Sequence, residues 1–126
     1  MVLGFARERR LRVRGDFDRV FRRGQRLGGR LFTVIALPNG RPDHRLGIAA
    51  SRKLGGAVVR NRARRLVRES FRRLEPAGGE GFDLVIVAGM DLAGCTQVEV
   101  DREFRERLRR LNRGGGARRS AAATAG

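Results

Sequence analysis

The chain has no tryptophan, no tyrosine, one cysteine, one histidine and a single lysine among its 29 basic residues. Each scarcity removes a class of function. With Cys95 alone there can be no intramolecular disulfide and no cysteine metal cluster, so this residue is expected to be a small buried hydrophobe in a reducing compartment. Metal-free RNA cleavage commonly uses paired histidines as general acid and base. Here His44 stands alone in a polar loop, where a solvent-exposed or turn-stabilising role is expected. Carboxylates are equally scattered. The one D-x-D, Asp16-Phe-Asp18, would diverge on a helix and is crowded by arginines. It reads as capping and dipole partners at a helix N-terminus, not as a two-metal site. No phosphate-binding G-x-x-x-x-G-K or G-x-G-x-x-G pattern occurs, and Gly28-Gly29 and Gly55-Gly56 read as turns. The longest apolar run, Phe82 to Ala88, is strand-sized and far from membrane-spanning, and the first ten residues turn charged at once. The expectation is a soluble, cytoplasmic protein with no membrane partner and no catalytic or metal-binding constellation of its own.

What is abundant is positive charge. In 126 residues the formal net charge is +16, while 40% hydrophobic content still allows one domain with a modest core. Such a chain repels itself and calls for a polyanionic partner. The charge comes in blocks. Residues 1–30, 51–75 and 102–126 are strongly basic, residues 31–50 are nearly neutral, and residues 76–101 hold acids and no base. Basic blocks alternating with apolar ones suggest charged helices laid against a core sheet.

Local patterns place these elements. Asp16 to Arg23 reads as a short helix with Gly15 or Asp16 near its N-cap and Gly24 as its stop. Arg30–Leu37 is rich in strand formers and ends in Pro38-Asn39-Gly40, which carries turn chemistry. Arg45–Ser51 reads as a second strand, with Gly47 marking a bend or bulge. A helix from Ala57 to Leu74 follows, broken at Pro76-Ala-Gly-Gly79. Phe82–Ala88 is a buried strand, by its nearly unbroken apolar character. The last helix opens on a capping box, Thr96-x-x-Glu99, and continues through Val100, Phe104, Leu108 and Leu111. From Arg113 onward apolar periodicity ceases. The order helix, strand, strand, helix, strand, helix fits a small α/β or α+β sandwich with helices mainly on one face of the sheet.

The Ala57–Leu74 helix carries the strongest functional signal. On a helical wheel Val59, Ala63, Leu66, Val67, Ser70, Phe71 and Leu74 fall within an arc of about 140° that must face the core. Asn61, Arg62, Arg64, Arg65, Arg68, Arg72 and Arg73 fill the remainder, with Glu69 as the one acid among them. Intrahelical pairing needs comparable numbers of acids and bases, so most of these guanidinium groups await a partner elsewhere. Arg60 and Arg62 point about 160° apart and should not be equivalent: Arg60 lies inside the apolar margin. Arg52 and Lys53 sit just upstream, beside backbone N–H groups at the helix start that favour phosphate. Phe17 and Phe21 share a face of the first helix flanked by Arg19, Arg22 and Arg23. At that spacing they are either core residues or a platform on which unpaired bases stack.

The stretch Ser51-Arg-Lys-Leu-Gly-Gly-Ala-Val-Val-Arg-Asn-Arg-Ala-Arg-Arg-Leu-Val-Arg-Glu69 resembles the signature of the bacterial ribonuclease P protein subunit. Upstream, Arg9-Arg-Leu11 and Asp16-Phe-x-x-Val-Phe-x-x-Gly24 match the same family in order and spacing, and the likeness covers roughly residues 7 to 112. The resemblance implies an α/β (α+β) two-layer sandwich of the ribosomal-protein domain-2-like kind. Its element order is αβββαβα or close to it, with a left-handed βαβ crossover, over a single domain at 1–113. A disordered basic Gly/Ala/Arg tail is expected at 114–126. It further implies a protein that assists a catalytic RNA in removing the 5′ leader of precursor tRNA. Mg²⁺ would be held mainly by the RNA, and no obligate protein partner is implied. Carried over by position, Arg60, Asn61, Arg62, Arg64, Arg65 and Arg68 would contact the catalytic RNA. Phe17, Phe21, Ser51, Arg52 and Lys53 would line a cleft for the single-stranded leader. A structural RNA-binding protein of similar fold is the alternative. The chain departs from the family pattern at Gly56, Ile35 and Gly89-Met90, where asparagine, an aromatic and basic residues are frequent. Leader binding is therefore expected to rest more on the phenylalanines and on Arg52-Lys53.

Overall fold

The structure, a computed structural model, describes residues 14–74 and 80–117, with side chains through Leu111. Helix α1 (Arg14–Arg23) is followed by strands β1 (Gln25–Leu27), β2 (Phe32–Pro38) and β3 (Arg45–Ala49), helix α2 (Ala57–Arg72), strand β4 (Phe82–Ala88) and helix α3 (Gln97–Ala117). Short 3-10 turns at Arg52–Leu54 and Leu92–Gly94 precede α2 and α3. The order is αβββαβα. Strand β1 is the element that residue patterning alone does not reveal, because three residues, Gln-Arg-Leu, are too few to show an alternation.

The four strands form one sheet in the order β1-β2-β4-β3. Strand β4 is central: it pairs antiparallel with β2 and parallel with β3, with Ile35 and Gly47 both opposite Val85. This ladder is regular through Gly47, so the bend or bulge expected there is absent; Gly47 keeps register because its neighbours on both sides continue the pairing. Alternation then divides the side chains between two faces. Phe32, Val34, Ala36, Leu46, Leu84 and Ile86 meet Ala63, Leu66, Val67 and Phe71 of α2 and Val100, Phe104, Leu108 and Leu111 of α3 in the main core. Ile35 and Val85 point the other way and are sealed by Val20 of α1. Helices α2 and α3 thus share one face, as expected, and α1 lies across the other.

Helix ends follow local chemistry. The capping box of α3 is closed reciprocally: the Thr96 N–H donates to Glu99 Oε1 at 2.9 Å, and the Glu99 N–H donates to Thr96 Oγ1 at 3.2 Å. Gly15 and Asp16 are already helical, following Arg14 in α1, and so are not at its cap. Asp16 instead binds Arg19 at 2.8 Å. Gly24 does stop α1, and the reason is contact. A Cβ there would lie 2.6 Å from the Val20 carbonyl and 2.8 Å from Ile35 Cγ2, so only glycine lets the helix turn down onto β2. At its far end α3 runs on to Ala117, past the expected boundary at residue 113. Helical hydrogen bonding, once anchored by the packed turns up to Leu111, propagates through Gly114–Gly116 although each glycine costs about 1 kcal/mol. The remainder of the expected tail, the Pro76–Gly79 break and Arg9-Arg10-Leu11 fall outside the described residues.

Two single residues behave in instructive ways. Cys95 is buried, as expected, and burial pushes its thiol pKa up, away from reactivity. His44 is buried too, so of the two roles expected for it, exposed or turn-stabilising, the structure shows the second. Its Nδ1 accepts the Phe82 N–H at 3.0 Å, tying the β2–β3 loop to the start of β4. The α2–α3 seam is partly polar. Gln97 Nε2 donates to the Leu66 carbonyl at 2.9 Å, Ser70 Oγ donates to Asp101, and Arg73 Nη1 meets Asp101 Oδ2 at 2.8 Å. Phe104 locks this arrangement by meeting Phe32 edge-on at 5.8 Å with no exposed surface. Phe104→Ala is therefore expected to cost about 3–5 kcal/mol. Urea titration should show a lower midpoint at an unchanged slope.

Candidate nucleic-acid interface

Two surfaces carry the residues singled out above, and they lie on opposite sides of the sheet. The first is the outer face of α2. Ala63, Leu66, Val67, Ser70 and Phe71 are buried, while Asn61, Arg62, Arg65 and Arg68 are exposed and Arg64 is half-buried. The wheel's two sides are thus realised. Glu69, the one acid here, accepts from Arg72 Nη2 at 2.7 Å and lies 3.9 Å from Arg73, and the Arg72 hydrogen bond holds its carboxyl below the usual range. Both contacts are made by Oε1. Arg65 has no ion pair or hydrogen bond among the described residues, and Arg64 Nη1 reaches only the Asn61 side chain at 3.3 Å.

Arg60 and Arg62 differ as their angular separation requires. Arg60 is half-buried, and its Nε is enclosed without a hydrogen-bond partner. Arg62 is exposed, and its Nε donates to the Ala93 carbonyl in the 3-10 turn before α3, which leaves its outer nitrogens pointing to solvent. The start of α2 is bare. Gly56 is the N-cap, supplies no side-chain acceptor, and leaves the first-turn N–H groups open beside exposed Arg52 and Lys53.

The second surface is the face of the sheet under α1. Phe17 and Phe21 are half-buried, and with Leu37, Ala49 and Val87 they border the sealed Val20–Ile35–Val85 cluster. Geometry places each ring between core and surface: part of it packs on the cluster and the rest is exposed. Ser51, Arg52 and Lys53 are all exposed and lie in the link from the end of β3, which carries Ala49, to the start of α2. Ile35 is fully buried beneath α1 and offers no surface to a ligand. Gly89 is also explained, since a Cβ there would lie 2.7 Å from the Leu31 carbonyl, which accepts the Gly89 N–H at 2.9 Å. The chain crossing excludes any side chain at that point.

Sequence reasoning missed a third feature, on the far flank of α1. A pocket of about 340 Å³ is lined by Arg19, Arg23, Leu37, Pro38, Asn39, Arg45 and Asp83. At its base Asp83, 2% exposed, takes a two-pronged contact from Arg45: Nε to Oδ1 at 2.8 Å and Nη2 to Oδ2 at 2.7 Å. Asn39 Nδ2 adds a bond to Oδ1 at 3.0 Å, and Arg19 lies 3.7 Å from Oδ2. The one available signal was a lone acid inside the apolar run Phe-Asp-Leu-Val-Ile-Val-Ala, since a buried carboxylate requires a cation. Its partner stands 38 positions away and emerges only from strand register. Among the described residues no three of His, Cys, Asp and Glu gather as a metal-binding group, and no helix is long and apolar enough to cross a membrane.

Comparison with known proteins finds one family. The family model described as Ribonuclease P matches residues 5–112. The ribonuclease P protein component of Thermotoga maritima is 42% identical over 87 residues, covering 69% of this chain and 74% of its own length. That of an Exiguobacterium species is 39% identical over 104 residues, covering 82% and 90%. Among solved structures, the RNase P protein from Thermotoga maritima superposes with a TM-score of 0.64 at 38% identity, covering 81% of this chain and 93% of that one. The Staphylococcus aureus RNase P protein gives 0.68 at 29% identity, covering 82% and 94%.

The Asp83 pair has a measurable signature. Burial disfavours its charged form, but the hydrogen bonds from Arg45 and Asn39 outweigh burial and hold the carboxyl below its ordinary range. A depressed native pKa adds stability above the unfolded value near 3.9, and that stability is lost as pH falls through the native value. Asp83→Asn should remove this contribution and flatten the acid limb of stability below about pH 4. At neutral pH it should cost about 3 kcal/mol, because Arg45 is left without its carboxylate. Thermal melts of both proteins from pH 7 to pH 3 check both expectations.

Proposed function

The chain belongs to the ribonuclease P protein family and is the protein subunit of that tRNA-processing endoribonuclease, and from this premise we propose how its two basic surfaces divide the work. The outer face of α2, through Arg60, Asn61, Arg62, Arg64, Arg65 and Arg68, docks on the catalytic RNA. The cleft under α1 holds the single-stranded 5′ leader of precursor tRNA, with Phe17 and Phe21 stacking on bases and Ser51, Arg52 and Lys53 meeting the backbone. The observation that carries this reading is that the two surfaces occupy opposite sides of one sheet. A protein so built can touch two RNAs at once, whereas a single basic face would serve one.

Each surface suits its assigned partner. Folded RNA is recognised largely through its phosphates and shape, and α2 offers a row of guanidinium groups on a rigid helix with an uncapped N-terminus. A single strand exposes its bases, and half-buried aromatic rings beside a basic rim are the usual means of holding it. The strand-bond chemistry belongs to the RNA subunit. Asp16 and Asp83 are already engaged by Arg19 and Arg45. We therefore assign Mg²⁺ to the RNA, where it supplies charge stabilisation for phosphodiester hydrolysis. The protein's part is to fix the substrate strand in register.

Reconstitution of the holoenzyme from this chain and its catalytic RNA tests the division. Phe17→Ala should weaken binding of leader-bearing precursor by ~1–3 kcal/mol while leaving mature tRNA unaffected. An equal loss for both substrates would rule out the cleft as leader site. Arg65→Ala should weaken assembly with the catalytic RNA and make its salt dependence shallower. An unaltered slope would show that Arg65 meets no phosphate.

A further inference from the structure

Helix α1 stands as a ridge on its face of the sheet, and its two flanks differ in kind. With Val20 pointing into the sheet, a rotation of about 100° per residue sets Phe17 and Phe21 to one side and Arg19 and Arg23 to the other. The phenylalanine side is the cleft described above. The arginine side opens on the 340 Å³ pocket, where Arg45 rises from the edge strand.

The pocket has more cationic capacity than its own acids can satisfy. Asp83 is engaged at both oxygens: Oδ1 accepts Arg45 Nε and Asn39 Nδ2, and Oδ2 accepts Arg45 Nη2. Asp16 serves Arg19. Arg23, exposed in the last turn of α1, has neither an ion pair nor a hydrogen bond among the described residues. Arg45 meanwhile uses two of its five N–H donors and is held in place while doing so. A guanidinium whose orientation is already fixed loses little entropy on binding a further anion, and its planar fork matches the oxygens of a phosphate. The result is one ordered and one free arginine facing the same space, with Asp83 as the positioning residue beneath them.

We propose that this pocket receives a backbone phosphate of the 5′ leader, from nucleotides that have passed the phenylalanine flank and crossed over α1. The assignment rests on the leader reading of the cleft. It favours the leader over the catalytic RNA because the pocket shares its face of the sheet with Phe17 and Phe21, whereas the α2 arginines lie beyond the sheet. A strand following this face meets Arg52-Lys53, then the two rings, then, beyond a helix about 10 Å across, Arg23 and Arg45.

The test is the dependence of affinity on leader length, measured with the reconstituted holoenzyme. Precursors whose leaders end on the phenylalanine flank are compared with precursors carrying several further nucleotides. In the unaltered protein the longer leader should bind several-fold more tightly. Arg23→Ala should abolish most of that ratio and lower the salt slope for the long leader by about 0.7. Arg23→Lys should restore most of both. Unchanged far-UV circular dichroism and melting temperature would confirm that the fold is intact in each variant. A length ratio untouched by Arg23→Ala overturns the proposal, as does an equal loss for both leader lengths. Inorganic phosphate that shifts the amide resonances around Arg23 and Arg45, with no effect of leader length, would identify a free-anion site and also overturn it. Phe17→Ala in the same assay separates the two readings. If Phe17→Ala weakens both leader lengths and Arg23→Ala affects neither, the cleft stands and the pocket assignment alone fails. If neither substitution matters, the leader reading itself fails.

Discussion

Every other part of this molecule is arranged around one strand with no free side. Strand β4 has a hydrogen-bonded neighbour along each edge and helices over each face, so Leu84, Val85 and Ile86 are all without exposed surface. This explains its unbroken apolar sequence and why it can host only one charge, at its end, where Arg45 reaches it. A strand sealed on both faces needs cover on both faces: α1 supplies it on one side, and α2 with α3 on the other. The outward-facing parts of those helices are thereby set on opposite sides of the sheet, which is the separation that the proposed division of labour uses.

Electrostatics repeats the theme at the level of individual groups. A chain at +16 has few acids to distribute, and several of them are engaged in holding arginines still. Asp83 fixes Arg45, Asp16 restrains Arg19, Asp101 joins Arg73 to the α2–α3 seam, and Glu69 takes Arg72. Asp101 is itself kept ionised against burial by hydrogen bonds from Ser70, Gln97 and Arg73. Arg65, Arg52 and Lys53, exposed, have no such restraint among the described residues. The acids thus sort the cations into those that hold the fold and those that remain available to a partner.

Much of this was legible in the sequence because it depends on local periodicity. The burial of Ala63, Leu66, Val67 and Phe71, the capping box at Thr96 and Glu99, and the unequal roles of Arg60 and Arg62 all follow from the turn of one helix. The extent of β4 followed from composition. What could not be read depended on register between distant strands or on close contact. Gly47 sits in an unbroken ladder because of its neighbours on β4, His44 is buried because its loop folds back on Phe82, and the Arg45–Asp83 pair exists only once β3 and β4 align. Strand β1 was invisible because it is shorter than any pattern that could announce it. The residues of the α2 surface and the cleft were individually recognisable, but their placement on opposite sides of the sheet required the topology.

The central position of β4 has a consequence for the order in which the chain can fold. Its contacts with β3 close a gap of 38 residues, and its contacts with β2 are longer still, from Pro38 with Phe82 to Phe32 with Ala88. Forming such pairs costs loop-closure entropy before any burial repays it. During synthesis α1, β1, β2, β3 and α2 all leave the ribosome before the strand that unites them. Until residues 82–88 emerge, Val20 and Ile35 lack Val85, and the apolar arc of α2 lacks Leu84 and Ile86. A strongly basic nascent chain must therefore wait, with its future core exposed, for residues 82–88, about two-thirds of the way along the sequence, before the cluster under α1 can close, and for α3 after them before the main core can.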